Sequence, residues 1–139
     1  MTTTEKTAWQ VLVRAREIIS RPECWTKRAL SRDEHGVNLM DSLSGEPHVN
    51  SARCAMDARA VCWCPEGAIR KAMGELGAAA RFEVLSASMM ALYEAFEAVG
   101  PDFTGDAWQP TNWSWNDDSD MTHEGVMAAF DYAIQAVAS

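Results

Sequence analysis

The sequence predicts an all-α fold: a compact single domain over residues 1–139 with four to five helices and a long Trp-rich loop before the last helix. Three observations lead there. Apolar residues recur at helical spacing in several separate segments, no segment alternates with the period of a strand, and no internal repeat is visible. With 139 residues, 47% of them hydrophobic and six of them Trp, the chain can bury a core without disulfide staples.

The first helix is expected to start at Thr4, a plausible N-cap, because Ala8, Leu12, Ala15 and Ile19 follow on one stripe that Val11 and Ile18 widen. Pro22 ends it. Residues 37–50 show no clear period and read as a loop. A helix is expected over 51–62, and Pro65 suits the first turn of another that runs to Met73, where its missing N–H costs nothing. The strongest segment runs from about Ala79 to Val99. At 100° per residue Leu85, Met89, Leu92, Phe96 and Val99 fall within about 80°, while Glu83, Glu94 and Glu97 gather on the opposite side. Gly100-Pro101 stops it. The Trp-rich loop spans 101–121 and holds Phe103, Trp108, Trp113 and Trp115. The last helix is expected over 122–137, with Val126, Phe130, Ile134 and Val137 on its apolar side and Ala129 and Ala133 permitting close packing.

Charge narrows the function classes. The formal net charge is −8, which argues against direct binding of a nucleic-acid backbone. The acids are also segregated. Residues 1–81 carry all 12 Lys and Arg and 10 acids, whereas residues 82–139 carry 10 acids and no Lys or Arg. Such crowding costs stability unless something offsets it, and it steers the surface towards a basic partner. No apolar run reaches the roughly 18 residues a bilayer span needs, and the N-terminus lacks the order of a signal peptide. Free thiols in a cytoplasm are therefore expected for Cys24, Cys54, Cys62 and Cys64.

Residues with chemistry are few. Cys64 precedes the first turn of a helix, where the N-terminal partial charge favours thiolate, and His123 is the candidate base. Against that pair stands the ordinary behaviour of a free Cys as a small buried hydrophobe. The Cys and His residues lack the paired spacing of a zinc site. Asp118 as the first position of a calcium loop fails the template, since His123 stands where Gly is required and Ala129 where Glu is required. Asp118, Asp120 or Thr122 is instead expected to cap the last helix. No cofactor and no metal are expected. The Trp-rich loop is expected to fold back as the lid of a small core, with Trp108 and Trp113 also suited to an interface.

Several segments carry a resemblance. They are Ala15-Arg16-Glu17-Ile18-Ile19 ahead of Trp25, the stretch AVCWCPEGA over 60–68, Trp115-Asn116-Asp117, and Thr122-His123-Glu124-Gly125-Val126 leading to Phe130-Asp131-Tyr132-Ala133-Ile134. Together they resemble an uncharacterised family of small bacterial and phage proteins, a domain of unknown function, over most of the chain. The resemblance implies a helical fold and a bacterial or phage origin, and it brings no activity. It marks Trp63, Cys64, Gly67, Trp115, Asn116, Asp117 and His123 as positions that form either a pocket or the joint between helices.

Three functions compete. The first is a non-catalytic protein-binding module, in its sharpest form a phage or mobile-element inhibitor of a bacterial nucleic-acid-handling or defence (CRISPR-type) complex. Its acidic half would occupy a basic surface of a bacterial protein or ribonucleoprotein through Glu83, Glu94, Glu97, Asp117, Asp118, Asp120, Trp108 and Trp113. The second is a small enzyme or ligand-binding domain centred on Cys64, His123 and Asn116-Asp117. The third is a self-associating protein with the Trp-rich loop at a homodimer contact.

Overall fold

A computed structural model describes residues 1–102 and 111–139, and among them it shows a mostly helical fold. Helix α1 spans Thr3–Ile18. Its cap is Thr2 rather than Thr4, for a local reason: Glu5 is the third residue after Thr2, so a reciprocal pair forms. The Glu5 N–H donates to Thr2 Oγ1 at 3.1 Å and the Thr2 N–H donates to the Glu5 carboxylate at 3.4 Å. After one 3₁₀ turn over Pro22–Cys24, the chain runs to strand β1, Ser31–Arg32.

Two short helices follow in place of the expected loop and longer helix. Helix α2, Leu39–Ser42, is capped by Asn38, and α3, Ser51–Met56, is capped by Asn50. Helix α3 stops early because Asp57 turns the chain, accepting hydrogen bonds at Oδ1 from both the backbone and the guanidinium of Arg59, each at 2.9 Å. Strand β2, Cys62–Trp63, then pairs antiparallel with β1, Ser31 opposite Trp63 and Arg32 opposite Cys62. Two-residue strands are too short to show a period of two in the sequence.

Helix α4 spans Pro65–Glu75, α5 Phe82–Val99, α6 Asn112–Asp117 and α7 His123–Ala138. Thr111 caps α6, which lies inside the stretch expected to be a loop, and Thr122 caps α7 by accepting from the Gly125 N–H at 3.0 Å. Helix α1 packs on α4, α5 and α7, and α5 packs on α7. One cluster of buried side chains joins them, with Leu12, Ile69, Leu92, Phe96, Val126 and Phe130 fully buried.

The buried face of α5 is rotated from the expected one. Val84, Ser88, Leu92, Ala95 and Phe96 are buried, Leu85 and Met89 are half-buried, and Val99 is exposed. Small Ser88 and Ala95 let neighbouring helices approach closely, a feature that scoring large apolar residues does not detect. On α7, Ala129 and Ala133 are buried as expected, with Ile134 and Val137 at the edge.

The Asp57 turn is pH-sensitive. Hydrogen bonds from Arg59 hold the Asp57 carboxyl down at about 2. A depressed carboxyl contributes stability that is fully present above its unfolded value of about 4 and is lost as pH falls towards 2. Asp57→Asn is therefore expected to destabilise the protein in urea at neutral pH, with the difference from the natural chain shrinking as pH drops below about 4. An undiminished difference at low pH would contradict this role for the charge.

Candidate functional site

Four of the residues in the segments that carry the family resemblance, Trp25, Asn116, Asp117 and His123, meet at a joint between helices. The Trp25 indole N–H donates to Asn116 Oδ1 at 2.7 Å, and Asn116 Nδ2 donates to the Thr26 carbonyl at 3.0 Å. Asn116 is fully buried. Next along α6, Asp117 Oδ1 accepts the Arg28 N–H at 2.7 Å, where Arg28 takes a left-handed φ of 63°. Lys27 Nζ donates to the Asp118 carbonyl at 2.7 Å. His123 closes the joint from α7: its ring stands 5.8 Å from the Trp25 ring, and its Nε2 bonds the Ile19 carbonyl at 2.7 Å. A carbonyl only accepts, so Nε2 carries the proton.

This arrangement leaves His123 engaged by the Ile19 carbonyl and by Trp25. Cys64 caps α4 through its sulfur, which accepts the Gly67 N–H at 3.3 Å. The helix-end effect that favours thiolate is outweighed by burial, which pushes the thiol up to about 12 despite that hydrogen bond. No hydrogen bond among the described residues joins Cys64 to His123. In the folded protein Cys64 is expected to resist alkylation at neutral pH, while half-buried Cys24 and Cys62 are labelled first. Mass spectrometry of labelled peptides checks this; early modification of Cys64 would show it to be accessible and reactive.

The expected partner-binding residues divide. Asp117 turns towards the joint, and Asp118, itself buried, accepts the Asp120 N–H at Oδ1 at 3.0 Å. Glu83 is exposed but paired with Arg81 at 2.9 Å. Glu94, Glu97 and Asp120 are exposed, and no ion pair among the described residues involves them. Trp113 is 46% exposed, whereas Trp115 is buried and stacks on Phe96 with ring centres 6.3 Å apart. Trp108 lies outside the described residues.

Beside the acidic face of α5 lies a groove of about 640 Å³, lined by Glu66, Ser86, Met89, Met90, Tyr93, Thr111, Asn112 and Trp113. Its α5 wall follows helix geometry. Ser86, Met90 and Tyr93 recur at i, i+4 and i+7, and Glu97 continues the same line one turn beyond Tyr93. Met90 is 57% exposed, so this wall is apolar surface rather than core. Glu66, from α4, is paired with Arg70 at 3.1 Å. Sequence reasoning placed Met89 in the core and passed over Met90, Tyr93 and Asn112. The available signal was that Met90 falls outside the core stripe of a helix whose other non-core positions are largely polar or small.

Among the described residues no group of three or more His, Cys, Asp or Glu is placed to hold a metal ion, and no helix is long and apolar enough to cross a membrane. Comparison with curated proteins and with solved structures gave no match. A family model matches residues 3–136, nearly the whole chain. By that match the chain belongs to a family of unknown function (DUF6197).

Proposed function

We propose that the protein is a non-catalytic binding module whose acidic C-terminal half engages a basic surface of another protein. One observation carries the proposal: an apolar groove of Met89, Met90, Tyr93 and Trp113 runs beside the exposed carboxylates of Glu94 and Glu97, in a half of the chain with no Lys or Arg. Exposed Met and Trp provide adaptable apolar contact, and the acidic flank favours a basic partner. The burial of Cys64 and the engagement of His123 at the joint support binding over catalysis by that pair.

In its sharper form, the partner is a bacterial nucleic-acid-handling or defence complex. The carboxylates then occupy a phosphate-binding surface as a decoy, and the protein is an inhibitor carried by a phage or mobile element and acting in the bacterial cytoplasm. The charge segregation supports that form.

The test compares the full chain with its Glu94→Lys, Glu97→Lys double variant as baits in bacterial lysate. The natural chain should retain a basic protein that the variant loses and that physiological salt weakens relative to low salt. Identical capture by both baits, or capture of nothing by either, would overturn the proposal.

A further inference from the structure

Within the groove, Asn112 is held in one orientation and left incomplete. Its Nδ2 donates to the Met89 carbonyl at 2.8 Å. Turning the amide over would set oxygen against oxygen, so the assignment of the two amide atoms is fixed. The residue is 8% exposed, and its Oδ1 has no hydrogen-bond partner among the described residues. Buried carbonyl oxygens are normally satisfied, and this one belongs to a residue that lines the groove. Oδ1 has almost no accessible surface of its own, so a donor reaches it only when the groove side chains over it turn aside.

The surrounding wall specifies the donor. Glu66 contributes a carboxylate whose Oε2 accepts from Arg70 Nε, which leaves Oε1 for a second donor. Tyr93 and Trp113 supply aromatic surface, and Met89 and Met90 supply apolar surface for a flexible stem. Glu97 adds negative charge one turn along α5. A planar cation with several donors, an apolar stem and affinity for aromatic faces fits all of these features, and that is the guanidinium side chain of arginine. Lysine fits less well: its ammonium is compact and strongly hydrated and cannot present a flat fork to two acceptors.

We propose that the groove between α5 and α6 is an arginine-anchoring site, in which an Arg side chain of a basic partner donates to Asn112 Oδ1 and Glu66 and stacks against Trp113 or Tyr93. This rests on the binding reading above and names the chemistry of its anchor. The volume exceeds one side chain, so an apolar neighbour of the arginine fills the remainder against Met89 and Met90.

The experiment uses the full chain and three peptides of one amphipathic sequence, bearing Leu on one face and Arg, Lys or citrulline on the other. Affinity is measured by calorimetry, and the site is located by NMR from the Asn112 side-chain amide and the Trp113 indole. The Arg peptide should bind roughly tenfold tighter than the Lys peptide, the size of one good charge-assisted hydrogen bond, and should shift both reporters. The citrulline peptide, which keeps the planar shape and three of the five N–H donors but loses the charge, should bind more weakly than the Arg peptide. Glu66→Gln, which leaves Asn112 and its Met89 bond in place, should narrow the preference for Arg.

Equal affinity for Arg and Lys, no binding by any of the three, or shifts confined to residues 1–81 would overturn the anchor. Reporter shifts that depend on protein concentration without peptide would also overturn it, by seating a second copy of the chain in the groove. Loss of the lysate partner in the Glu94→Lys, Glu97→Lys variant, together with equal Arg and Lys affinities, would leave the acidic surface standing and remove only the anchor.

Discussion

Gly67→Ala is expected to destabilise the fold by about 3 kcal/mol, the upper end of what overpacking a tight contact usually costs. Gly67 sits in the first turn of α4, where the helix presses against the backbone of Leu30 just before β1. A Cβ there would overlap the Leu30 carbonyl oxygen and lie 3.0 Å from its carbon. Backbone cannot swing aside as a side-chain tip can, and the same Leu30 oxygen accepts the Cys64 N–H at 3.2 Å. The added methyl therefore pushes α4 away from the small sheet and strains the cap together. In urea the midpoint should fall with little change in slope, since the area exposed on unfolding is unchanged. A midpoint equal to that of the natural chain would mean that α4 and Leu30 have room to separate. Gly36→Ala is a useful contrast: it meets nothing within 4 Å, so only its left-handed φ of 78° is penalised.

Asn116→Leu is expected to cost roughly 2–6 kcal/mol, because it orphans two part-buried groups at once, each at about 1–3 kcal/mol. Leucine has nearly the right volume but leaves the Trp25 indole N–H and the Thr26 carbonyl without partners. The Trp25–Arg28 segment would keep its Lys27 and Arg28 contacts and the Thr26 N–H bond to the Trp63 carbonyl, but the indole proton of Trp25 should exchange faster with solvent. Asn116→Asp adds a directional check. Its carboxylate can still accept from Trp25 but faces the Thr26 oxygen with no proton to give. Burial and that repulsion raise its folded pKa, so stability is retained at low pH and lost as pH rises through the raised value. Stability of Asn116→Asp that instead improved with rising pH would contradict the assigned hydrogen bonds.

The longer helices were legible because their signals are local. Pro65 opens α4, Gly100-Pro101 stops α5, the expected stripe of α7 and part of that of α5 face the core, and α1 keeps its stripe apart from the two-residue shift of its cap. The caps of α2 and α6, Asn38 and Thr111, were also present, but helices of four and six residues hold too few turns to show a period. The joint was half legible. Trp25, Asn116, Asp117 and His123 stood out as residue types, yet Trp25 meets Asn116 across 91 positions, and nothing in one sequence encodes that pairing. The groove was the least legible. Met90 and Tyr93 belong to it only because the small residues Ser88 and Ala95 rotate the buried face of α5, and Asn112 matters only because Met89 takes one half of its amide.

The most direct measurement places a photoactivatable side chain at Met90 on the groove wall, or at exposed Val37 in the other half, and irradiates the full chain in bacterial lysate. If the acid-flanked groove is the binding surface, the Met90 probe forms an adduct with a basic protein, the adduct disappears when Glu94→Lys and Glu97→Lys are added, and the Val37 probe forms none. An adduct with the same protein from Val37 and none from Met90 would contradict it.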